Sequence, residues 1–125
     1  VKTSYHRELH DCGVAAIAML SCGRLARGAA YDRARKALKW SGSKTKIGQL
    51  RVALKKLKRP LRVDNMRSTD ASKLKQLDGD ALILVQINGR SLLHWMVWDA
   101  KRKRLIDPET RPVRYKILRQ IELEQ

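Results

Sequence analysis

Residues 11–20 read Asp-Cys-Gly-Val-Ala-Ala-Ile-Ala-Met-Leu, and this stretch constrains the fold more than any other. Behind the cysteine it carries no charge and is apolar on every side, so a helix here has no face to give to water. Such a helix must be wrapped by the rest of the domain. Ala15, Ala16 and Ala18 are small enough to let neighbouring backbones come close. Asp11 stands where an N-cap is expected, its carboxylate placed to accept from the free amides of the first turn. Gly23 is a natural terminator, so the helix is expected from Cys12 to Cys22. A thiol at the positive end of a buried helix dipole is stabilised as thiolate. Cys12 is therefore a candidate nucleophile, and Cys22, at the far end, is expected to be structural.

With 125 residues, 43% of them hydrophobic, the chain is long enough for one domain, spanning 1–125, with a core of its own. Its two cysteines would lie on the order of 15 Å apart along one helix, at ~1.5 Å per residue. That is beyond the roughly 7 Å between Cα atoms that a disulfide spans, so two free thiols and a reducing compartment are expected. No apolar run approaches the roughly 20 residues of a membrane span, and Val1 to His6 lack the apolar centre of a signal peptide. A cytoplasmic protein without a membrane partner is expected, and no cofactor.

Along the chain, Arg27 to Lys39 has Ala30, Ala34, Ala37 and Leu38 at helical spacing, with Arg33, Arg35, Lys36 and Lys39 outward; this predicts an amphipathic helix. Residues 40–43 form a loop. Thr45 then caps a third helix, with Ile47, Leu50, Val52, Leu54 and Leu57 on its apolar side and Arg51, Lys55, Lys56 and Lys58 opposite. Pro60 stops it, and residues 61–65 read as a short strand. Ser68-Thr69-Asp70 opens a short helix through Leu77. The period then changes. Residues 81–87 are a strand-length apolar run before the turn signal Asn88-Gly89. Leu92 to Trp98 and Arg104 to Asp107 follow as strands around Lys101-Arg102-Lys103, with a further strand at Val113 to Tyr115. Helices first and an antiparallel sheet second make an α+β plan.

The sheet half contains one histidine, His94. If the two strands around the basic turn pair with Trp98 opposite Lys103, His94 falls opposite Asp107. Directly opposed residues have Cβ atoms about 4.5–5.5 Å apart, within reach of a carboxylate-imidazole hydrogen bond. Asp107 precedes Pro108, which biases it to extended backbone. Cys12, His94 and Asp107 are thus a nucleophile, a base and an orienting group for cysteine acyl transfer, with the Cys12 amide as an oxyanion donor.

These residues resemble the papain-like double-glycine peptidases, which process bacteriocin leader peptides beside export transporters. The similarity rests on Asp11-Cys12-Gly13 with its alanine-rich helix, the threonine-led helix from Thr45 to Leu57, His94-Trp95-Met96-Val97, and Asp107-Pro108. It runs over nearly the whole chain in the family's order. The resemblance implies a papain-like fold: an N-terminal helical half, its Cys-bearing helix buried, packed on a C-terminal antiparallel sheet. It also implies a catalytic triad of Cys12, His94 and Asp107 and a peptide or protein substrate. The family has a glutamine six residues before the cysteine as second oxyanion donor. This sequence has His6 there, and His6, with an imidazole N–H to offer, is expected to take that role beside the Cys12 amide.

Two other chemistries compete. A zinc site could draw on His6, His10, Cys12 and Cys22, and His6-Arg7-Glu8 matches the His-x-Glu of zinc deaminases, but their Pro-Cys-x-x-Cys is absent; no metal is expected. The charge points elsewhere. Lys and Arg total 28 against 12 acidic residues, a formal +16, which attracts polyanions. Arg51, Lys55, Lys56 and Lys58, with Lys101, Arg102, Lys103 and Arg104, are the expected contacts for nucleic acid without sequence preference or for acidic proteins. The alternative to an enzyme is thus a protease-like domain, weak or inactive, that binds such partners through this surface.

Overall fold

The computed structural model describes residues 11–22, 27–42, 45–62, 66–87, 93–106 and 115–124. Helices α1 (Cys12–Ser21), α2 (Arg27–Leu38) and α3 (Ile47–Lys56) come first. Then follow β1 (Arg67–Ser68), α4 (Ala71–Leu74), β2 (Ala81–Ile87), β3 (Leu93–Asp99), β4 (Arg104–Ile106) and β5 (Tyr115–Glu122). The strands form one sheet in the order β1-β5-β2-β3-β4, antiparallel at every pairing. The architecture is α+β.

All ten residues of α1 are buried, as a segment with no polar face requires. It packs on α2, α3, β2 and β3. Three alanines make this possible, since backbones can approach a helix without large side chains from several directions. Asp11 occupies the N-cap position but makes no side-chain cap. Its Oδ2 instead accepts a 2.6 Å hydrogen bond from the Tyr31 hydroxyl of α2. Inside the core a tyrosine hydroxyl needs a partner, and that demand takes the carboxylate. The helix ends at Ser21, and Cys22, just beyond it, donates its thiol to the Met19 carbonyl at 3.5 Å.

On α2 the inner side is Ala30, Tyr31 and Ala34, and Arg33, Arg35, Lys36 and Lys39 are exposed, as the spacing predicts. Helix α3 departs from expectation in two places. Its N-cap is Lys46, whose amide donates to Gln49 Oε1 at 2.7 Å, and Thr45 is not the cap. The buried stripe is Leu50, Ala53 and Leu54, while Val52, expected inside, is 55% exposed because a 3.6-residue period carries it outside the Leu50-Ala53-Leu54 arc. The helix from Asp70 closes after one turn, at Leu74 and not Leu77. In the stretch expected as strand 61–65, Leu61 forms a single bridge to Leu123, and 63–65 lie outside the described residues, as does the expected turn at Asn88-Gly89.

Strand β2 is paired along its length on both sides, and both its faces are covered. Leu82 and Leu84 face the core under α1–α3. Ala81, Ile83 and Val85 face a second, smaller core with Leu74, Met96 and Trp98. This is why its sequence is apolar without alternation. The strand expected at Val113 to Tyr115 is in fact β5, eight residues long from Tyr115 and lodged between β1 and β2. No helix among the described residues is long and apolar enough to cross a membrane.

Candidate functional site

Cys12 opens α1 with 9% of its surface exposed. It lines a cavity of about 430 Å³, with Thr45, Lys46 and Ile47 at the start of α3 and Met66, Leu84, Leu93 and Trp95 on the sheet side. The amides of a helix's first turn have no intrahelical acceptors, so the Cys12 end of α1 presents N–H groups and the positive end of a dipole to whatever occupies that space.

Thr45 holds this corner together. The Trp95 indole Nε1 donates to its carbonyl at 3.2 Å, joining β3 to the start of α3. Its side chain lies against Gly13: a Cβ there would overlap Thr45 Oγ1 and stand 3.0 Å from Thr45 Cβ and 3.2 Å from Leu50 Cδ2. Glycine is therefore required after the cysteine by close approach. Among the described residues the buried Thr45 Oγ1 has no hydrogen-bond partner, an uncommon state for a hydroxyl that water cannot reach. Thr45, expected as the cap of α3, is instead the joint between α1, α3 and β3. Tyr31 also carries a signal in the sequence, since a tyrosine on an otherwise alanine face must place its hydroxyl somewhere.

The strand β3 brings His94 close in sequence to this cavity but turns it elsewhere. Side chains alternate between faces. Trp95 and Val97 belong to the core under α1, and Met96 and Trp98 to the core on the reverse side. His94 is buried, stands opposite Val85 and shares the reverse face. The cavity beside Cys12 thus receives Leu93 and Trp95, the residues flanking His94, and not His94.

The hairpin register also differs from expectation. Val97 pairs with Ile106, Trp98 with Leu105 and Asp99 with Arg104, two residues from the alignment that would set Trp98 opposite Lys103 and His94 opposite Asp107. The turn is as long as expected but lies one residue further along the chain, and the buried Asp99 fixes it there: its Oδ1 accepts from the Arg102 amide and its Oδ2 from Arg102 Nη1, both at 3.3 Å. Asp107 and His6 lie outside the described residues, as do His10 and Pro108. Among the described residues no group of three His, Cys, Asp or Glu side chains stands together as a metal site would need.

Of the expected polyanion contacts, Lys55, Lys56 and Lys58 are exposed. Arg51 is half-buried, its Nη1 donating to the Arg62 carbonyl at 2.7 Å. Lys101 to Arg104 are exposed too, though two are engaged within the fold: Arg102 with Asp99 at 3.3 Å, and Lys103 Nζ with the Lys75 carbonyl at 3.2 Å. These residues belong to α3 with the turn after it and to the β3–β4 turn. Comparison with protein-family models, curated proteins and solved structures finds no match to this chain.

Proposed function

We propose that this chain is a papain-like cysteine peptidase or isopeptidase acting through Cys12 on a peptide or protein. One observation carries the reading: the only described cysteine at a helix amino end lines a cavity between the helical half and the sheet. The resemblance in Asp11-Cys12-Gly13, His94-Trp95 and Asp107-Pro108 supports it. On this reading the Cys12 thiolate attacks the carbonyl carbon, the first-turn amides of α1 hold the oxyanion, and the amine leaves with a proton. Water then cleaves the thioester and restores the thiol. His94 is the proton carrier, with Asp107 orienting it and His6 as second oxyanion donor.

The test is cleavage of a peptide library and of isopeptide-linked peptides by wild type, Cys12→Ala and His94→Ala. Products from wild type and none from Cys12→Ala are expected, with His94→Ala slower by about 100- to 10,000-fold. Cleavage that survives Cys12→Ala overturns the reading. Full activity in His94→Ala keeps the thiol and removes the triad. A second reading, a domain of the same plan that cuts nothing, is favoured by His94 standing on the face away from Cys12.

A further inference from the structure

The positive charge is not spread evenly. From Arg33 to Arg62 the sequence holds twelve Lys or Arg and no Asp or Glu, so this quarter of the chain carries +12 of the total +16. The remaining residues are nearly balanced, sixteen basic against twelve acidic. A surface charged only for solubility mixes both signs; this one does not.

The fold gathers that segment into the pair α2–α3, which pack on each other and keep their apolar sides for α1. The charges are thereby turned outward. On α2 and just past its end Arg35, Lys36 and Lys39 are exposed, and on α3 and the turn after it Lys55, Lys56, Lys58 and Arg59 are exposed. The turn is fixed by backbone. Lys58 adopts φ 61° and the Arg59 amide donates to the Leu54 carbonyl at 2.9 Å, a Schellman closure that holds both cations at the helix end. Arg51 then ties the Arg62 segment to α3 through the Arg62 carbonyl at 2.7 Å. One or two cations would answer the negative end of the helix dipole; this strip is longer than that.

We propose that the outer side of α3 and its carboxyl-end turn, extended by α2, is a binding surface for the phosphate backbone of duplex nucleic acid, indifferent to sequence. An acidic protein is a poorer fit, because interface centres are apolar and depleted in lysine, and among the described residues the strip offers Val52 alone as a large exposed apolar residue. An anionic membrane ordinarily needs an apolar or lipid anchor beside the basic patch, and Val52 is too little for that. Duplex phosphates need neither, since released counterions drive the binding. The only half-buried aromatic here, Trp40, is already covered by the Arg35 guanidinium at 5.0 Å, so base stacking has no open platform. Among the described residues the acidic groups near the strip are Asp32, which precedes it on α2, and Glu122, which pairs with Arg62 at 3.4 Å, with Glu124 two residues beyond it in the chain. The surface is independent of the chemistry at Cys12.

The experiment compares two variants of equal net charge. Lys55→Glu/Lys56→Glu alters the strip, and Lys75→Glu/Lys116→Glu alters exposed lysines elsewhere. Binding of a fluorescent 20-base-pair duplex of arbitrary sequence is followed by anisotropy from low to physiological salt, with circular dichroism confirming each fold. Wild type and the second variant should bind with steep salt dependence, and the slope for the strip variant should flatten by about 0.9 for each lost phosphate contact. Three results overturn the proposal: no duplex binding at low salt, equal losses in both variants, or tighter binding to polyglutamate or to phosphatidylserine vesicles than to the duplex.

Discussion

Gly13 and Thr45 are in contact across the joint between α1 and α3, so closely that the glycine has room for no side chain. The residue after the candidate nucleophile is thus chosen by the helix start that packs over it, and the same threonine anchors the indole of Trp95. Adding a methyl at Gly13 pushes against Thr45 and Leu50. Gly13→Ala should destabilise by about 1–3 kcal/mol, the usual cost of overpacking. Gly13→Ala/Thr45→Ala should recover part of that loss, and chemical denaturation of the two single variants and the double variant gives the coupling.

Tyr31→Phe removes the donor to a carboxylate that has no exposed surface. Such a group depends on its partners for what water would otherwise supply. A loss of about 1–3 kcal/mol is expected, with the protein still folded, and thermal melting of the variant beside wild type measures it. No change would mean that the Asp11 carboxylate is held well enough by its other interactions.

Cys12 and Cys22 should differ toward alkylating reagents. Cys12 lines a cavity at the positive end of α1, and Cys22 is buried at the other end with its thiol given to Met19. Iodoacetamide at mildly acidic pH, followed by peptide mass mapping, should mark Cys12 first. Equal labelling would show that the helix end confers no activation.

Asp70 supplies a pH effect with a clear sign. Its carboxyl is held below the ordinary range, first by the Lys73 amide that it caps at 3.0 Å and then by the Ser72 hydroxyl at 2.8 Å. A depressed folded-state value means that the stabilisation is present at neutral pH and is lost as pH falls through that value. The Lys73 amide should therefore exchange faster with solvent in acid, relative to a neighbouring amide, and Asp70→Asn should remove that dependence. The site is exposed, so the effect belongs to α4 and not to global stability.

What the residues alone determined is whatever depends on local period and on the need to hide apolar surface. A charge-free alanine helix had to be buried on all sides, and α1 is. An uninterrupted apolar run of strand length had to lie inside a sheet covered on both faces, and β2 does. What the tertiary structure decided are choices between which that pattern is blind. Moving β3 and β4 by two residues leaves every side chain on its own face, so hydrophobicity could not distinguish the expected register from the observed one, and the Asp99–Arg102 turn settled it. The run Trp95-Met96-Val97-Trp98 is apolar at every position, so nothing in it tells which parity faces α1, and with that the direction of His94 was open. β5 was obscured because Leu84 pairs with Arg119 and Val85 with Ile117, leaving Leu118 as an extra residue that breaks the alternation. Asp11 and Thr45 look like caps in the sequence because capping is local, whereas Tyr31 and Gly13 reach them only once three helices have packed together.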